Sequence, residues 1–291
     1  MTAFVRAAVV VCLLAAGTAC SRQPSAPAPA PGGALAAFAS LEGTISIAGG
    51  TAHIPVMKEA ARRIMTANPR IAITVEGGGS GVGVKKVSEG LVQIGNTGRP
   101  LNPSEQEPAG LRSFPFAVDG IALCVHPDNP VASLTTEQAK AIWAGTIVNW
   151  REVGGQDLPI RLYNRDEASG TREVFWEVLL GKGPVTDRAN VLASNGAMKV
   201  AVAGDRGALG YVSIGHLDPT VRPISLDGVE PSQQNASSRA YPVVRELFMH
   251  TRGSPGPLVQ AFVEFIYSSE GAEIVRASGY IPIPGPGTGL R

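Results

Sequence analysis

Aromatic side chains are scarce, only 5% of the 291 residues, and that disfavours a surface on which nucleic-acid bases would stack. Charge of a single sign is also missing. The 25 basic and 24 acidic residues leave a formal charge of +1, and no basic stripe stands out, so nucleic acid is excluded as a partner. An anionic guest would therefore have to be caught by a local constellation rather than by a global field. Cysteines number three, at 12, 20 and 124, with no CxxC pair, and the four histidines (His53, His126, His216, His250) are scattered. That spacing makes no metal cluster. Cys124 sits inside the apolar run 121–125, where a thiol reads as a small buried hydrophobe, and no intramolecular disulfide is expected. Beyond the first twenty residues no apolar run is long enough to cross a bilayer.

Nucleotide and nucleophile motifs are lacking too. The glycine run 77–83 does not have the G-x-G-x-x-G spacing, and Lys85 does not close a P-loop pattern. Val82 stands where the last glycine of G-x-S-x-G belongs, and no histidine supports a triad, so a nucleophilic role for Ser80 has little behind it. Two readings of the run survive: a tight structural turn, or a helix start at which Ser80 donates to an anion.

The chain opens with a targeting segment, residues 1–20. Arg6 supplies the positive end, residues 9–16 the apolar stretch, and Gly17-Thr18-Ala19 lead into Cys20. A small-residue run ending in cysteine resembles a bacterial lipobox, whose cysteine is lipidated after cleavage. Gly17 departs from that pattern, and simple signal-peptidase cleavage is the alternative. A Pro/Ala-rich tether follows, taken as 21–42. From residue 43 the spacing predicts a strand at 45–47, a helix through Val56 to Met65, a strand at 71–75, a short helix carrying Val84 and Val87, and a strand at 91–94. Strands alternating with helices and glycine turns predict a parallel α/β sheet, whose ligand loops gather at the strand C-termini. The run 116–125 is expected to bend at Asp119-Gly120 on entering a second lobe, and 241–249 to form the return strand.

Downstream, Tyr163 to Thr171 leads into an amphipathic helix with Val174, Phe175, Val178 and Leu179 on one face and Gly181 as its cap. Its start, Ser169-Gly170-Thr171, offers two hydroxyls and unpaired N–H groups, a donor-rich end that attracts anions. Arg165 adds a forked, permanent cation suited to a tetrahedral oxyanion, and Glu167 is placed to hold it. Thr51, Ser80 and the 169–171 turn should face one cleft, with no catalytic pair beside them. Such a set binds rather than reacts.

Several stretches then match one family in order: Ala48-Gly49-Gly50-Thr51-Ala52-His53-Ile54-Pro55, Gly78-Gly79-Ser80-Gly81-Val82-Gly83-Val84-Lys85, Gly95-Asn96-Thr97-Gly98-Arg99-Pro100, Trp143 to Trp150, Arg165 to Thr171, and Gly207-Ala208-Leu209-Gly210-Tyr211. The chain resembles the periplasmic phosphate-binding proteins of phosphate ABC importers (PstS-like, of the type II periplasmic binding protein superfamily). The resemblance implies two Rossmann-like α/β lobes joined by two hinge crossings, the first 43–118 plus 241–291 and the second 119–240, closing over one inorganic phosphate. Ligand donors implied by position are Thr51, Ala52 through its backbone, Ser80, Arg165, Ser169, Gly170 and Thr171, with Gly98 and Arg99 as further candidates. Some members carry an aspartate in the loop after the third strand; here Gly98-Arg99 stands there, so a carboxylate that would accept a phosphate proton is missing from its usual place. The family further implies a monomeric, non-enzymatic solute-binding protein without cofactor, in the periplasm or at the cell surface. It would be held to the membrane by lipid on Cys20 and would deliver its ligand to an ABC permease and ATPase. A same-fold oxyanion sensor or adhesin, and a Ser80-dependent hydrolase, are the alternatives.

Overall fold

The computed structural model describes residues 33–106 and 110–285. The targeting segment, its Cys20 and the tether as far as residue 32 lie outside the described residues. The tether ends sooner than expected: Gly33–Phe38 is a 3₁₀ turn, and Phe38 is fully buried in the first core. Withdrawing such a ring from water contributes about 1.5–3 kcal/mol, enough to order the chain there.

Strand β1 (Gly43–Gly49) and β2 (Ile71–Gly78) lie parallel, with α1 (Ile54–Ala67) crossing between them. Val56, Met57, Ala60, Ala61 and Ile64 form the buried stripe of α1 at helical spacing. Helix α2 (Ser80–Ser88) leads to β3 (Ile94–Thr97), which returns parallel to β1 on its other edge. This strand begins at Ile94, not Leu91. Gly90, at φ +74°, turns the chain out of the helix, and Leu91 is left 64% exposed. As a result Asn96 and Thr97, expected in a loop, are buried in the strand.

After α3 (Pro103–Gln106) comes β4 (Leu111–Val125), and it does not break at Asp119-Gly120. Both residues stay in the ladder. The elements beyond it are β5 (Ser133–Leu134), α4 (Thr136–Trp143), β6 (Arg161–Arg165), α5 (Gly170–Val174), β7 (Asn190–Leu192), α6 (Asn195–Ala203), β8 (Ala208–Ser213) and β9 (Arg222–Leu226). The chain closes with α7 (Gln233–Ser237), β10 (Val244–Arg252), α8 (Pro257–Tyr267), α9 (Ser269–Ala277) and β11 (Ile281–Pro282). Along the sheet the order is β2-β1-β3-β10-β4-β8-β6-β7. Residues 111–120 of β4 pair antiparallel with β10, and residues 121–125 pair with β8, so one continuous strand serves both halves of this mixed α/β fold.

Each half has its own core. Helices α1, α8 and α9 cover the first; Trp143, Trp150, Phe175 and Tyr211 fill the second. Tyr241 and Val243, expected with the first lobe, pack in the second core. The second crossing therefore lies just before β10, where Ile121 N–H donates to the Val243 carbonyl at 2.9 Å.

The helix after Ser169 differs from its expected face. It runs as α-helix only to Val174 and then as a π turn, Phe175–Leu179. The wider turn keeps Val174, Phe175 and Leu179 buried but swings Val178 outward to 48% exposure. Phe175 stacks on Tyr211 with ring centroids 4.1 Å apart and meets Trp143 edge-on. Phe175→Ala is expected to cost about 3–5 kcal/mol in urea unfolding, whereas Val178→Ala should stay within about 0.5 kcal/mol. Equal losses from the two would contradict the π-turn placement.

Candidate functional site

Three turns converge where the two halves meet. The first follows β1, and its glycine is obligatory: Gly49 has φ +129°, and a Cβ there would lie 2.2 Å from the Asn96 carbonyl oxygen. That contact fixes the start of the Thr51–His53 turn. The second is the β2–α2 junction, where Gly79 (φ +93°) places Ser80 at the first position of α2. The third is Ser169-Gly170-Thr171, at the start of α5. Gly170 approaches Ser80 so closely that a Cβ would lie 2.2 Å from its Oγ, so no side chain larger than hydrogen fits between the lobes at that point.

A small, tight cavity lies between them, lined by Gly50, Thr51, Ala52, His53, Gly79, Ser80, Gly98, Arg165, Ser169, Gly170, Thr171 and Arg245. Thr51, Ala52, Ser80, Gly98, Arg165, Ser169, Gly170 and Thr171, all singled out from sequence, are thus brought together. Arg99 is not. Its guanidinium is held by both oxygens of Glu105, at 2.7 and 2.9 Å, and its Nε faces the Glu173 carboxylate of the other half. It works as a clasp between lobes. A larger, open depression lined by Ile142, Asn149, Arg161, Thr186 and Asn190 lies elsewhere on the second half. None of its lining side chains holds a buried polar atom without a partner, so it has no comparable demand for a guest.

Arg165 ends β6 and is only 2% exposed. Its Nε donates to the Leu192 carbonyl and its Nη2 to the Ala193 carbonyl, both at 3.0 Å, while Nη1 has no partner. Glu167 plays no part in holding it; the two carbonyls at the end of β7 do. Burial is the main influence on this guanidinium and lowers its pKa, against a smaller opposing pull from Tyr211 and Asp166.

The hydroxyls share one polarity. Ser80 Oγ accepts the Gly98 N–H at 3.0 Å, and Ser169 Oγ accepts the Arg172 N–H at 3.2 Å. Thr51 Oγ1 accepts both the N–H and the Nδ2–H of Asn195, and Thr171 Oγ1 accepts from Arg245 Nη1 at 3.0 Å. In each case the oxygen accepts from the protein and its O–H remains free to donate. Four such donors and a desolvated guanidinium make an anion cage.

The sequence profile of the PBP superfamily domain matches residues 34–270. The phosphate-binding protein PstS of Bacillus subtilis is 36% identical over 244 residues, covering 83% of this chain and 81% of that protein. The chain belongs to the PBP superfamily, among the PstS-type proteins. A solved relative, described as a putative phosphate ABC transporter substrate-binding protein with bound phosphate from Clostridium perfringens, is 34% identical. It superposes with a TM-score of 0.79, covering 83% of this chain and all of that one. An ABC-type phosphate transport receptor from Vibrio cholerae is 32% identical with a TM-score of 0.67, covering 82% of this chain and all of that one. Among the described residues of this PBP domain no helix is long and apolar enough to cross a membrane.

Two site residues escaped sequence reasoning, Arg245 and Asp119. They are register partners across β10 and β4, and both are buried. Arg245 Nε lies 2.9 Å and Nη2 2.8 Å from Asp119 Oδ2. Asp119 Oδ1 accepts from Ser213 Oγ at 2.8 Å. The adjacent Tyr280 hydroxyl donates to the Ala52 carbonyl at 2.7 Å, so the hinge pair is wired to the first turn. An arginine inside a strand expected to face the core was the one signal available in sequence.

Two buried histidines, His53 and His250, and the half-buried His216 surround these turns. Burial first, and Arg245 next, lower His53 to about 3. His216, its Nε2 3.2 Å from the Thr51 carbonyl, falls to about 4, and His250, set between Thr97 and Ser113, also to about 4, both chiefly through burial. Each is neutral in the fold, whereas an unfolded imidazole titrates near 6.5. Stability from these groups is therefore fully present above about pH 6.5 and is lost as pH falls toward 4 and 3. The slope should be about 1.4 kcal/mol per pH unit for each histidine that only the unfolded chain protonates. Urea unfolding at pH 7, 6, 5 and 4 should show this decline; stability unchanged between pH 6.5 and 5 would contradict it.

Proposed function

We propose that this protein is an extracytoplasmic solute-binding protein that captures inorganic phosphate between its lobes and hands it to an ABC importer. Thr51, Ser80, Arg165, Ser169 and Thr171 would be the side-chain ligands, with the backbone of Ala52 and Gly170 beside them. One observation supports this above the others: Arg165 Nη1 is buried and unpaired in a cavity ringed by free hydroxyl donors. A buried cation of that kind calls for an anion of matching size, and each hydrogen bond to a charged oxygen is worth about 1.5–3 kcal/mol. The printed descriptions of the Bacillus and Clostridium relatives, phosphate-binding and phosphate ABC transporter substrate-binding, fit the same reading.

Binding without turnover is the reading for Ser80. Its oxygen accepts the Gly98 N–H, and among the described residues no imidazole or carboxylate is hydrogen-bonded to it, so nothing there would activate a nucleophile. The lobe limits, 43–118 with 241–291 and 119–240, belong to the same proposal, with the second crossing moved to residue 243 by the packing of Tyr241. So does lipid anchoring at Cys20 on the outer face of a membrane, which mass spectrometry of the native N-terminus would reveal.

Isothermal titration of the mature protein with phosphate should give one site per chain. Arg165→Ala is expected to weaken it by at least ~2 kcal/mol, about thirtyfold. An unchanged dissociation constant in that variant, with its unfolding midpoint preserved, would remove Arg165 from the ligand set.

A further inference from the structure

Thr51 differs from the other hydroxyls of the cavity. Ser80, Ser169 and Thr171 each accept one hydrogen bond from the protein, so each keeps a lone pair and can meet a guest as donor or as acceptor. Thr51 Oγ1 accepts two, from the Asn195 backbone N–H at 3.3 Å and from Asn195 Nδ2 at 3.0 Å. A hydroxyl has two lone pairs and one proton. With both lone pairs taken, this oxygen can only donate, and its O–H bonds to no other group among the described residues. The methyl is seated as well: a Cβ at Gly77 would lie 3.1 Å from Thr51 Cγ2, so the side chain has little room to turn.

Asn195 comes from the opposite half. It is the first residue of α6 and fully buried, and Ser194 before it caps that helix by accepting the Ala197 N–H at 3.0 Å. The Asn195 N–H is one of the donors that a helix start cannot pair internally, and it crosses the interface to Thr51. Ser213 fixes the amide. Its N–H donates to Asn195 Oδ1 at 3.1 Å, which turns Nδ2 toward Thr51. Ser213 Oγ in turn donates to Asp119 Oδ1 at 2.8 Å, Asp119 Oδ2 meets Arg245, and Arg245 Nη1 donates to Thr171 Oγ1. A continuous chain of buried groups therefore joins the Thr51 hydroxyl of the first half to the Thr171 hydroxyl of the second. Asn195 is its link to Thr51, and it stands behind that residue, outside the cavity lining.

We propose that Asn195 is a positioning residue: by filling both acceptor sites of Thr51 when the halves meet, it commits the Thr51 proton to the bound oxyanion. This rests on the reading of the cavity as an oxyanion site with Thr51 among its ligands, and adds the residue that reports closure to that ligand. A hydroxyl free to turn in water presents its lone pairs to an anion in part of its orientations; holding it as a donor beforehand removes that loss. With the halves apart Asn195 leaves Thr51, and the hydroxyl is released to solvent. The aimed donor exists only in the closed form, so an anion that uses it favours that form.

A double-mutant cycle read by isothermal titration with sodium phosphate tests this, on the mature protein, Asn195→Ala, Thr51→Val and the two combined, with the urea midpoint of each measured alongside. Thr51→Val, which keeps the shape and removes the donor, should weaken phosphate at least about tenfold. Asn195→Ala should weaken it about three- to tenfold when Thr51 is present, and cost nothing further in Thr51→Val, where no hydroxyl is left to aim. A merely structural role would weaken binding equally in both backgrounds, and that result overturns the proposal; so does an Asn195→Ala protein that binds as tightly as the unaltered one. Should Asn195→Ala fail to fold, Asn195→Leu, which fills the same space without the amide, takes its place in the cycle with the same expectations. Phosphate binding with additive losses leaves the oxyanion site standing and this proposal fallen; no heat from the unaltered protein brings down both.

Discussion

A guanidinium withdrawn from water with no carboxylate hydrogen-bonded to it is costly, and the architecture around Arg165 is arranged to hold one. Two backbone carbonyls fix its Nε and Nη2, and they leave Nη1 aimed at nothing in the protein. Neutral carbonyls satisfy geometry without neutralising charge. Any carboxylate partner would have lowered the cost of burial and, equally, the site's demand for an anion. The same logic applies to the hydroxyls, each made to accept from an N–H so that its own proton faces inward. The cage is polarised before a guest arrives, so little reorganisation is left to occur on binding.

The polarisation depends on the hinge. β4 crosses from one core to the other without a break, and β10 runs beside it, so Asp119 and Arg245 meet as a cross-strand pair at the crossing. Arg245 then touches Thr171 in the other half. A swing of the lobes about this crossing would separate Thr171 from Arg245, Asn195 from Thr51 and Ala168 from Gly81 while leaving the Asp119–Arg245 pair intact.

Much of this was legible in the sequence because it is local. Thr51, Ser80 and the 169–171 turn each announce themselves by a hydroxyl beside glycine at the end of a strand, and a parallel sheet carries such ends to one edge. Arg245 and Asp119 were illegible for the opposite reason. They are 126 residues apart, neither sits in a turn, and only antiparallel register joins them. Asp119-Gly120 does not interrupt the strand because glycine permits a break without requiring one, and the ladder to β10 runs through both residues. Val178 was misplaced because the periodicity assumed 3.6 residues per turn, and a π turn has more.

Closure is the step at which these elements are weighed against one another. The protein alone makes several bonds between halves: Gly81 N–H to the Ala168 carbonyl at 3.0 Å, Asn195 to Thr51, Arg245 to Thr171 and Arg99 to Glu173. Ordinary hydrogen bonds contribute about 0.5–1.5 kcal/mol net, so together they favour closure by a few kcal/mol. Against them stands the desolvation of Arg165, a penalty of several kcal/mol for an unpaired ion. The two are of similar size. Moving such an equilibrium from 1:99 to 99:1 takes about 5.5 kcal/mol of differential affinity. An anion touching two or three charge-assisted donors, at about 1.5–3 kcal/mol each, supplies that much, and it does so only when both halves contribute. In the proposed capture of an anion between the lobes, the unpaired Arg165 Nη1 would couple occupancy to closure, since it makes the closed form expensive by itself and favourable with an anion inside.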